Sequence, residues 1–151
     1  MKLNLRSWLA GVAVAGALLL AACGGGGSSG GGGGNTLDLT TNGEQLAYSP
    51  ATLNAAANQQ VTVNFKNGSA SQKHNFVLVK GGDDVASKVD EAAAAAGGEV
   101  TAGGDVVAAT KLLDGGASGS AQFNLPAGTY TYLCTFPGHY LAGMKGTLTV
   151  K

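Results

Sequence analysis

The 151-residue chain has few of the side chains that do most protein chemistry: two cysteines, two histidines, two methionines and one tryptophan. Two cysteines cannot build a disulfide framework, and two histidines cannot build a histidine-rich catalytic cluster. Only 12% of the residues are charged and the formal net charge is zero, so the basic surface of a nucleic-acid-binding protein is lacking. No glycine-rich phosphate-binding motif follows a predicted strand, which argues against a nucleotide-binding enzyme.

The first 23 residues have the pattern of a secretory leader. Basic residues precede one apolar run of 13 residues, Trp8 to Leu20, which is short for a bilayer-spanning helix but normal for a signal-peptide core. The run ends in a Leu-Ala-Ala-Cys tetrad that resembles a bacterial lipobox, in which a cut before the cysteine is followed by lipidation. We therefore expect residues 1–23 to be a signal segment and Cys23 a lipid anchor. An ordinary cleaved signal and an uncleaved short anchor stay open as alternatives.

Residues 24–34 are nine glycines and two serines, a composition that cannot bury a core and is typical of a flexible tether. The folded domain is therefore predicted over residues 35–151, where seven lysines face nine acidic residues and give a charge of −2. If the leader is lipidated at Cys23 or stays uncleaved, we expect the tether to hold this domain on the extracytoplasmic (periplasmic) face of the cell membrane.

The domain is predicted to be mostly β. Alternating or β-branched segments bounded by Gly, Pro and Asn predict about eight strands, over residues 37–40, 45–48, 61–65, 75–80, 106–113, 121–125, 129–134 and 146–150. Residues 83–96 break the pattern, because they begin with aspartates, are rich in alanine and stop at two glycines, as a helix does. The expected fold class is an all-β Greek-key sandwich or barrel with one inserted helix.

Side chains that bind soft metals are rare in this domain, and most of them lie in one segment. Cys134, His139 and Met144 fall within eleven residues, and His74 begins a predicted strand about sixty residues earlier. A thiolate and two imidazoles with a weak axial thioether form the blue-copper site, whereas zinc gains little from a methionine. Each of these residues alone is more often part of a core. Their combination favours one copper ion per chain.

Two short motifs resemble the copper-binding segments of cupredoxins, the blue-copper proteins of the azurin/plastocyanin superfamily. Residues 134–139, Cys-Thr-Phe-Pro-Gly-His, and residues 144–150, Met-Lys-Gly-Thr-Leu-Thr-Val, resemble their C-terminal copper loop. His-Asn-Phe at 74–76 is similar to the start of their upstream ligand strand. Four residues separate His139 from Met144, one more than in azurin, and this spacing is similar to auracyanin of filamentous anoxygenic phototrophic bacteria.

The resemblance implies a type 1 copper site with a cupredoxin-like fold. Its three equatorial ligands would be His74, Cys134 and His139, and its axial ligand would be Met144. Asn75 matches a family asparagine that hydrogen-bonds near the copper loop, and Thr135 matches the residue after the cysteine that pairs with it. Such hydrogen bonds hold metal ligands in place and tune the metal.

The implied function is one-electron transfer by a membrane-tethered monomer, without enzymatic activity. In an auracyanin-like role the donor would be alternative complex III, and the acceptor would be a reaction centre through its cytochrome, or a respiratory oxidase. A multicopper oxidase would have histidines on both sides of the cysteine, where this chain has Leu133 and Thr135. A periplasmic copper chaperone or storage protein is the main alternative, and a tethered structural domain is another.

Overall fold

The computed structural model describes residues 35–151; the predicted signal segment, Cys23 and the tether lie outside this range. The described part contains nine strands and one helix. They are β1 (Thr36–Thr41), β2 (Tyr48–Ser49), β3 (Thr52–Ala55), β4 (Gln60–Lys66), β5 (Val77–Val79), α1 (Asp83–Ala94), β6 (Val106–Ala109), β7 (Ser118–Asn124), β8 (Gly128–Leu133) and β9 (Lys145–Val150). Over residues 35–151, no helix has the length and apolar character needed to cross a membrane.

The strands form two sheets that share one core. One sheet has the order β2-β1-β4-β7, and the other has the order β3-β9-β8-β5-β6. The β1–β4 and β3–β9 pairs are parallel, and the remaining pairs are antiparallel. The predicted all-β fold with one inserted helix is confirmed, with nine strands where about eight were expected.

Period-two alternation explains how the β2-β1-β4-β7 sheet presents an apolar face to this core. In β4, Val61, Val63 and Phe65 are buried while the residues between them are more exposed. Opposite them in β7, Ala121 and Phe123 are buried in the same way. Burying one large aliphatic or aromatic side chain stabilises the fold by about 1.5–3 kcal/mol. This sheet therefore contributes to the core the side chains that the alternation marks as inward-facing.

The helix lies where the sequence predicts it and covers the second sheet. It ends at Ala94, two residues before the predicted end, and a turn then leads into Gly97 and Gly98, whose φ values are positive. Ala86 and Val89 are buried against β5, β6 and β8 in a small apolar cluster. This packing places the segment that follows the helix beside the end of β8, next to Cys134.

The strand predictions differ from the structure in four places, of which the first is the strand predicted over 75–80, which is confined to Val77–Val79. Residues 45–48 are mainly a turn in which only Tyr48 pairs, and Thr52–Ala55 was missed because its partner β9 lies almost a hundred residues away and leaves no local signal. The strand predicted over 106–113 ends at Ala109. Beyond Ala109 its pairing with the chain before β5 becomes irregular, because the amide of Phe76 donates its hydrogen bond to the side-chain hydroxyl of Thr110, at 3.0 Å.

Candidate metal centre

Three side chains from two distant parts of the chain meet at one end of the β-sandwich. Nδ1 of His74 lies 3.1 Å from Nδ1 of His139. The sulfur of Cys134 lies 3.7 Å from Nδ1 of His74 and 3.5 Å from Nδ1 of His139. Among the described residues, this is the group of three His, Cys, Asp or Glu side chains whose donor atoms could hold one metal ion.

The β8–β9 hairpin positions Cys134 and Met144 opposite each other. Cys134 follows the last residue of β8, and Met144 precedes the first residue of β9. The amide of Cys134 donates to the carbonyl of Met144 at 3.1 Å, and the amide of Met144 donates to the carbonyl of His139 at 3.0 Å. The loop between the two strands is thus fastened by its own backbone hydrogen bonds.

Two glycines give this loop its shape. Gly138 has a φ of 86° and Gly143 has a φ of 100°, a region that other residues adopt only with strain. The first lies immediately before His139 and the second immediately before Met144, so each allows the chain to turn where a candidate ligand must point inward.

His74 reaches the site from the other side. It lies just before β5 and forms an isolated bridge with Leu113. Its amide donates to the Leu113 carbonyl at 3.1 Å, and the Leu113 amide donates back at 2.8 Å. Nε2 of His74 is buried and has no hydrogen-bond partner among the described residues.

Burial is nearly complete around the candidate ligands, with one edge close to solvent. His74, Cys134 and Met144 are fully buried, while 8% of His139 is exposed. Around that histidine the loop presents apolar residues to solvent, above all Leu141, which is 81% exposed. The site is therefore shielded from water except at the His139 edge.

The protonation states favour coordination by neutral imidazoles. Burial, reinforced by the neighbouring His139, lowers the pKa of His74 to about 4, and burial also lowers the pKa of His139. Burial raises the pKa of the Cys134 thiol to about 11, against the opposing effect of hydrogen bonds from the Asn75 and Phe136 amides. Both imidazoles can therefore offer a lone pair at neutral pH, whereas the thiol must lose its proton to become a ligand.

The donor triangle has the size that a trigonal metal site requires. Bonds of about 2.05 Å to nitrogen and about 2.3 Å to sulfur, as for zinc, give N–N and N–S separations of about 3.5 and 3.8 Å in a trigonal plane. The observed separations of 3.1, 3.5 and 3.7 Å are slightly smaller. Two imidazoles and one thiolate, with a fully buried methionine whose backbone pairs with that of Cys134, match the donor set that selects copper.

A hydrogen-bonded clasp of Asn75, Thr135 and Gly98 joins three segments behind the site. The amide group of Asn75 donates to the Thr135 hydroxyl at 2.9 Å and to the Gly98 carbonyl at 3.2 Å, and it accepts the Thr135 backbone amide at 2.9 Å. The Thr135 hydroxyl donates to the same Gly98 carbonyl at 2.7 Å. The sequence indicated Asn75 and Thr135, but Gly98 was identified only as a helix stop.

Copper uptake is expected to release about one proton per ion at pH 7. The thiol, with its raised pKa, carries a proton that it must lose, whereas both imidazoles are already neutral. Titrating the copper-free protein with Cu(II) in weak buffer with an indicator dye measures this number. At pH 5.5 the number of protons released should rise by less than it would for two histidines of ordinary pKa, because the pKa of His74 is about 4 and that of His139 is lowered. Two histidines of ordinary pKa would add nearly two further protons, and that result would contradict the assigned protonation states.

The β-sandwich and the buried Cys-His-His triangle with an adjacent methionine define a mononuclear copper protein of the cupredoxin class. Comparison with protein families gives the same result, since residues 35–151 match the model described as "Copper binding proteins, plastocyanin/azurin family". The chain belongs to this family. The predictions of a cupredoxin fold and of copper as the cofactor are confirmed.

The relatives include several auracyanins. Auracyanin-B of Chloroflexus aurantiacus is 44% identical over 121 residues, which cover 76% of this chain and 52% of that protein. Auracyanin-A of the same organism is 43% identical, with 77% and 74% covered. A crystal structure of dithionite-reduced auracyanin from Roseiflexus castenholzii matches with a TM-score of 0.74 at 45% identity, covering 80% of this chain and 99% of that one. The predicted resemblance to auracyanins is confirmed, although this chain spans only about half of auracyanin-B.

Proposed function

We propose that this blue-copper protein carries single electrons with a site formed by His74, Cys134, His139 and Met144. The observation that supports this proposal is the convergence of Sγ and two Nδ1 atoms within 3.7 Å of one another inside a closed β-sandwich. Met144 is assigned as the axial ligand because it is fully buried and opposes Cys134 across the hairpin. Copper, when bound, supplies reversible exchange between Cu(II) and Cu(I).

The protein's part is to keep the ligands in one arrangement while the charge changes. Backbone hydrogen bonds hold the loop, and the clasp of Asn75, Thr135 and Gly98 ties that loop to the upstream strand. Because three of the four proposed ligands are fully buried, water does not compete for the metal or move when an electron arrives. A rigid, dry site of this kind keeps the reorganisation that accompanies electron transfer small.

Redox partners are proposed to dock at the exposed apolar edge around His139. Phe136 packs against the His139 ring at a centroid distance of 4.7 Å, and Pro137, Leu141 and Ala142 are exposed nearby. A small apolar surface on a domain of charge −2 suits brief encounters rather than a permanent complex. In an auracyanin-like pathway, the partners would be a membrane quinol-oxidising complex as donor and a reaction-centre cytochrome or an oxidase as acceptor.

A copper chaperone or storage protein is the alternative that the experiment must exclude. A protein that hands over its copper needs exposed, exchangeable ligands, whereas this site is closed on all but one edge. We expect rapid reversible voltammetry of the loaded protein together with slow loss of copper to a chelator. Fast copper exchange combined with sluggish electrochemistry would instead favour a chaperone.

Membrane attachment is proposed from the sequence of residues 1–34. The lipobox-like tetrad, Cys23 and the glycine-rich tether favour a lipid-anchored domain on the extracytoplasmic face, and an uncleaved signal would give the same location. Mass spectrometry of the mature protein distinguishes these cases. A chain that begins at a lipidated Cys23 supports the lipid anchor, and an unmodified chain that begins after residue 23 refutes membrane attachment through this segment.

Replacing Met144 by leucine is expected to keep copper bound but raise the reduction potential. The thioether is a weak axial donor, and its loss disfavours the more highly charged Cu(II). Because the two side chains have similar volumes, the free energy of unfolding should change by less than about 1.5 kcal/mol. Voltammetry and urea denaturation test both effects. Leu148→Met, the reverse exchange at another buried position, is the control and should leave the reduction potential unchanged. An unchanged reduction potential in Met144→Leu would contradict the axial role of Met144.

A further inference from the structure

A carboxylate outside the donor triangle fastens the chain segment that leads into His74. Glu44 lies exposed in the turn that follows β1. Its Oε1 accepts the backbone amide of Ala70 at 2.5 Å, and its Oε2 accepts the hydroxyls of Ser69 and Ser71, each at 2.8 Å. Such hydrogen bonds to a charged acceptor are roughly twice as strong as neutral ones.

The neighbouring glutamine extends the same set of bonds. Nε2 of Gln72 donates to the backbone carbonyl of Glu44 at 3.1 Å and to its carboxylate at 3.5 Å. The Ser69 hydroxyl, which donates to the carboxylate, also accepts the amide of Gln72 at 2.8 Å. These bonds, the one from the Ala70 amide first, lower the pKa of Glu44 to about 2. Residues 69–72 are therefore tied to one side chain that stays charged at any physiological pH.

A buried asparagine holds the inner side of this segment and connects it to the metal centre. Nδ2 of Asn67 donates to the carbonyl of Gln72 at 2.7 Å and to the carbonyl of Leu113 at 2.9 Å. The same Leu113 carbonyl accepts the amide of His74 at 3.1 Å. Residues 69–72 thus lie between the exposed carboxylate of Glu44 and the buried side-chain amide of Asn67. His74 of the donor triangle follows two residues after this segment.

We propose that Glu44 is a positioning residue of the copper site, which fixes residues 69–72 and thereby sets where the chain delivers His74. The inference rests on the copper-binding function proposed above. A carboxylate is required because four donors converge on its two oxygens, and both of these oxygens accept. A glutamine at this position would turn an NH₂ group towards either the Ala70 amide or the two serine hydroxyls, and would also lose the charge.

The test compares Glu44→Gln with Asp38→Asn, which removes an equal charge from another exposed carboxylate. Asp38 accepts only the Asn64 side chain, at 3.1 Å, among the described hydrogen bonds. In Glu44→Gln we expect the His74 amide of the copper-free protein to exchange faster with solvent hydrogen. In the loaded protein we expect about 10-fold faster copper loss to a chelator and a shifted visible band, as for changes that loosen a metal's outer shell. Asp38→Asn should match the unaltered protein in all three measurements.

A milder variant and the unaltered protein complete the experiment. Ser71→Ala removes a hydroxyl whose hydrogen bond goes to Glu44, so it should shift the same measurements less and in the same direction. If Glu44→Gln has the same spectrum, rate of copper loss and His74 amide exchange as Asp38→Asn, the positioning role of Glu44 is overturned, while the proposed function is not affected. If the unaltered protein forms no coloured copper complex, the proposed function and this inference both fail.

Discussion

Replacing Cys134 by serine is expected to abolish the intense visible colour of the copper-loaded protein while leaving the β-sandwich folded. The colour comes from charge transfer between thiolate sulfur and Cu(II), and a serine oxygen is too hard and too weakly acidic to replace that sulfur. Copper affinity should fall with it. Visible absorption and circular dichroism, measured on the same samples after copper addition, report the site and the fold separately.

The fold should survive because serine nearly matches cysteine in size and finds donors already in place. The amides of Asn75 and Phe136, which form hydrogen bonds to the cysteine sulfur, can turn to the hydroxyl oxygen. We therefore expect the copper-free variant to lose no more than about 1–3 kcal/mol of unfolding free energy, the cost of an imperfectly paired buried hydroxyl. Cys134→Ala, which buries no hydroxyl, is the matched control. Loss of folding in both variants would assign Cys134 a structural role, and a retained visible band in either would contradict thiolate coordination.

Gly98→Ala is expected to destabilise the protein by about 2–6 kcal/mol and to disturb the copper spectrum. Gly98 has a φ of 91°, and a Cβ added there would lie 2.6 Å from the carbonyl oxygen of Thr135 and 2.9 Å from the Cα of Phe136. Strained backbone of this kind costs about 1–3 kcal/mol, and an overpacked contact costs about as much again. Because the opposing atoms are backbone, relief requires the segment after α1 to move away from the copper loop. Urea denaturation of the copper-free form measures the cost.

The neighbouring glycine separates backbone strain from the contact with the loop. Gly97 also has a positive φ, of 65°, but an added Cβ would meet nothing within 4 Å. Gly97→Ala should therefore cost only about 1–2 kcal/mol and leave the visible band in place. Equal effects of the two substitutions on stability and spectrum would contradict a specific role for the Gly98 carbonyl in holding Asn75 and Thr135.

The sequence was sufficient for the features that depend on local pattern or on residue scarcity. Alternation in β4 identified its inward side chains, and the glycines after α1 marked the end of the helix near the correct residue. The four proposed copper ligands could be selected because soft side chains are so rare in residues 35–151. The structure brings His74 to the other two members of the triangle, although about sixty residues separate it from them in the chain.

The sequence was insufficient wherever a role depends on a contact between distant segments. Nothing in the residues around Glu44 shows that the chain returns beside it at residues 69–72, because that neighbourhood is created by the pairing of β1 with β4. The role of Gly98 depends in the same way on how α1 packs against β8. Strand β3 is a third case, since its partner β9 is remote in the chain.

The most direct test of the copper site is the visible absorption spectrum of the folded protein titrated with Cu(II). We expect one intense thiolate-to-copper band that saturates at one copper ion per chain and disappears on reduction. Its intensity depends on Cys134 binding in the same centre as His74 and His139. A colourless or only weakly coloured Cu(II) complex of the folded, reduced-thiol protein would contradict the assignment of a type 1 copper centre.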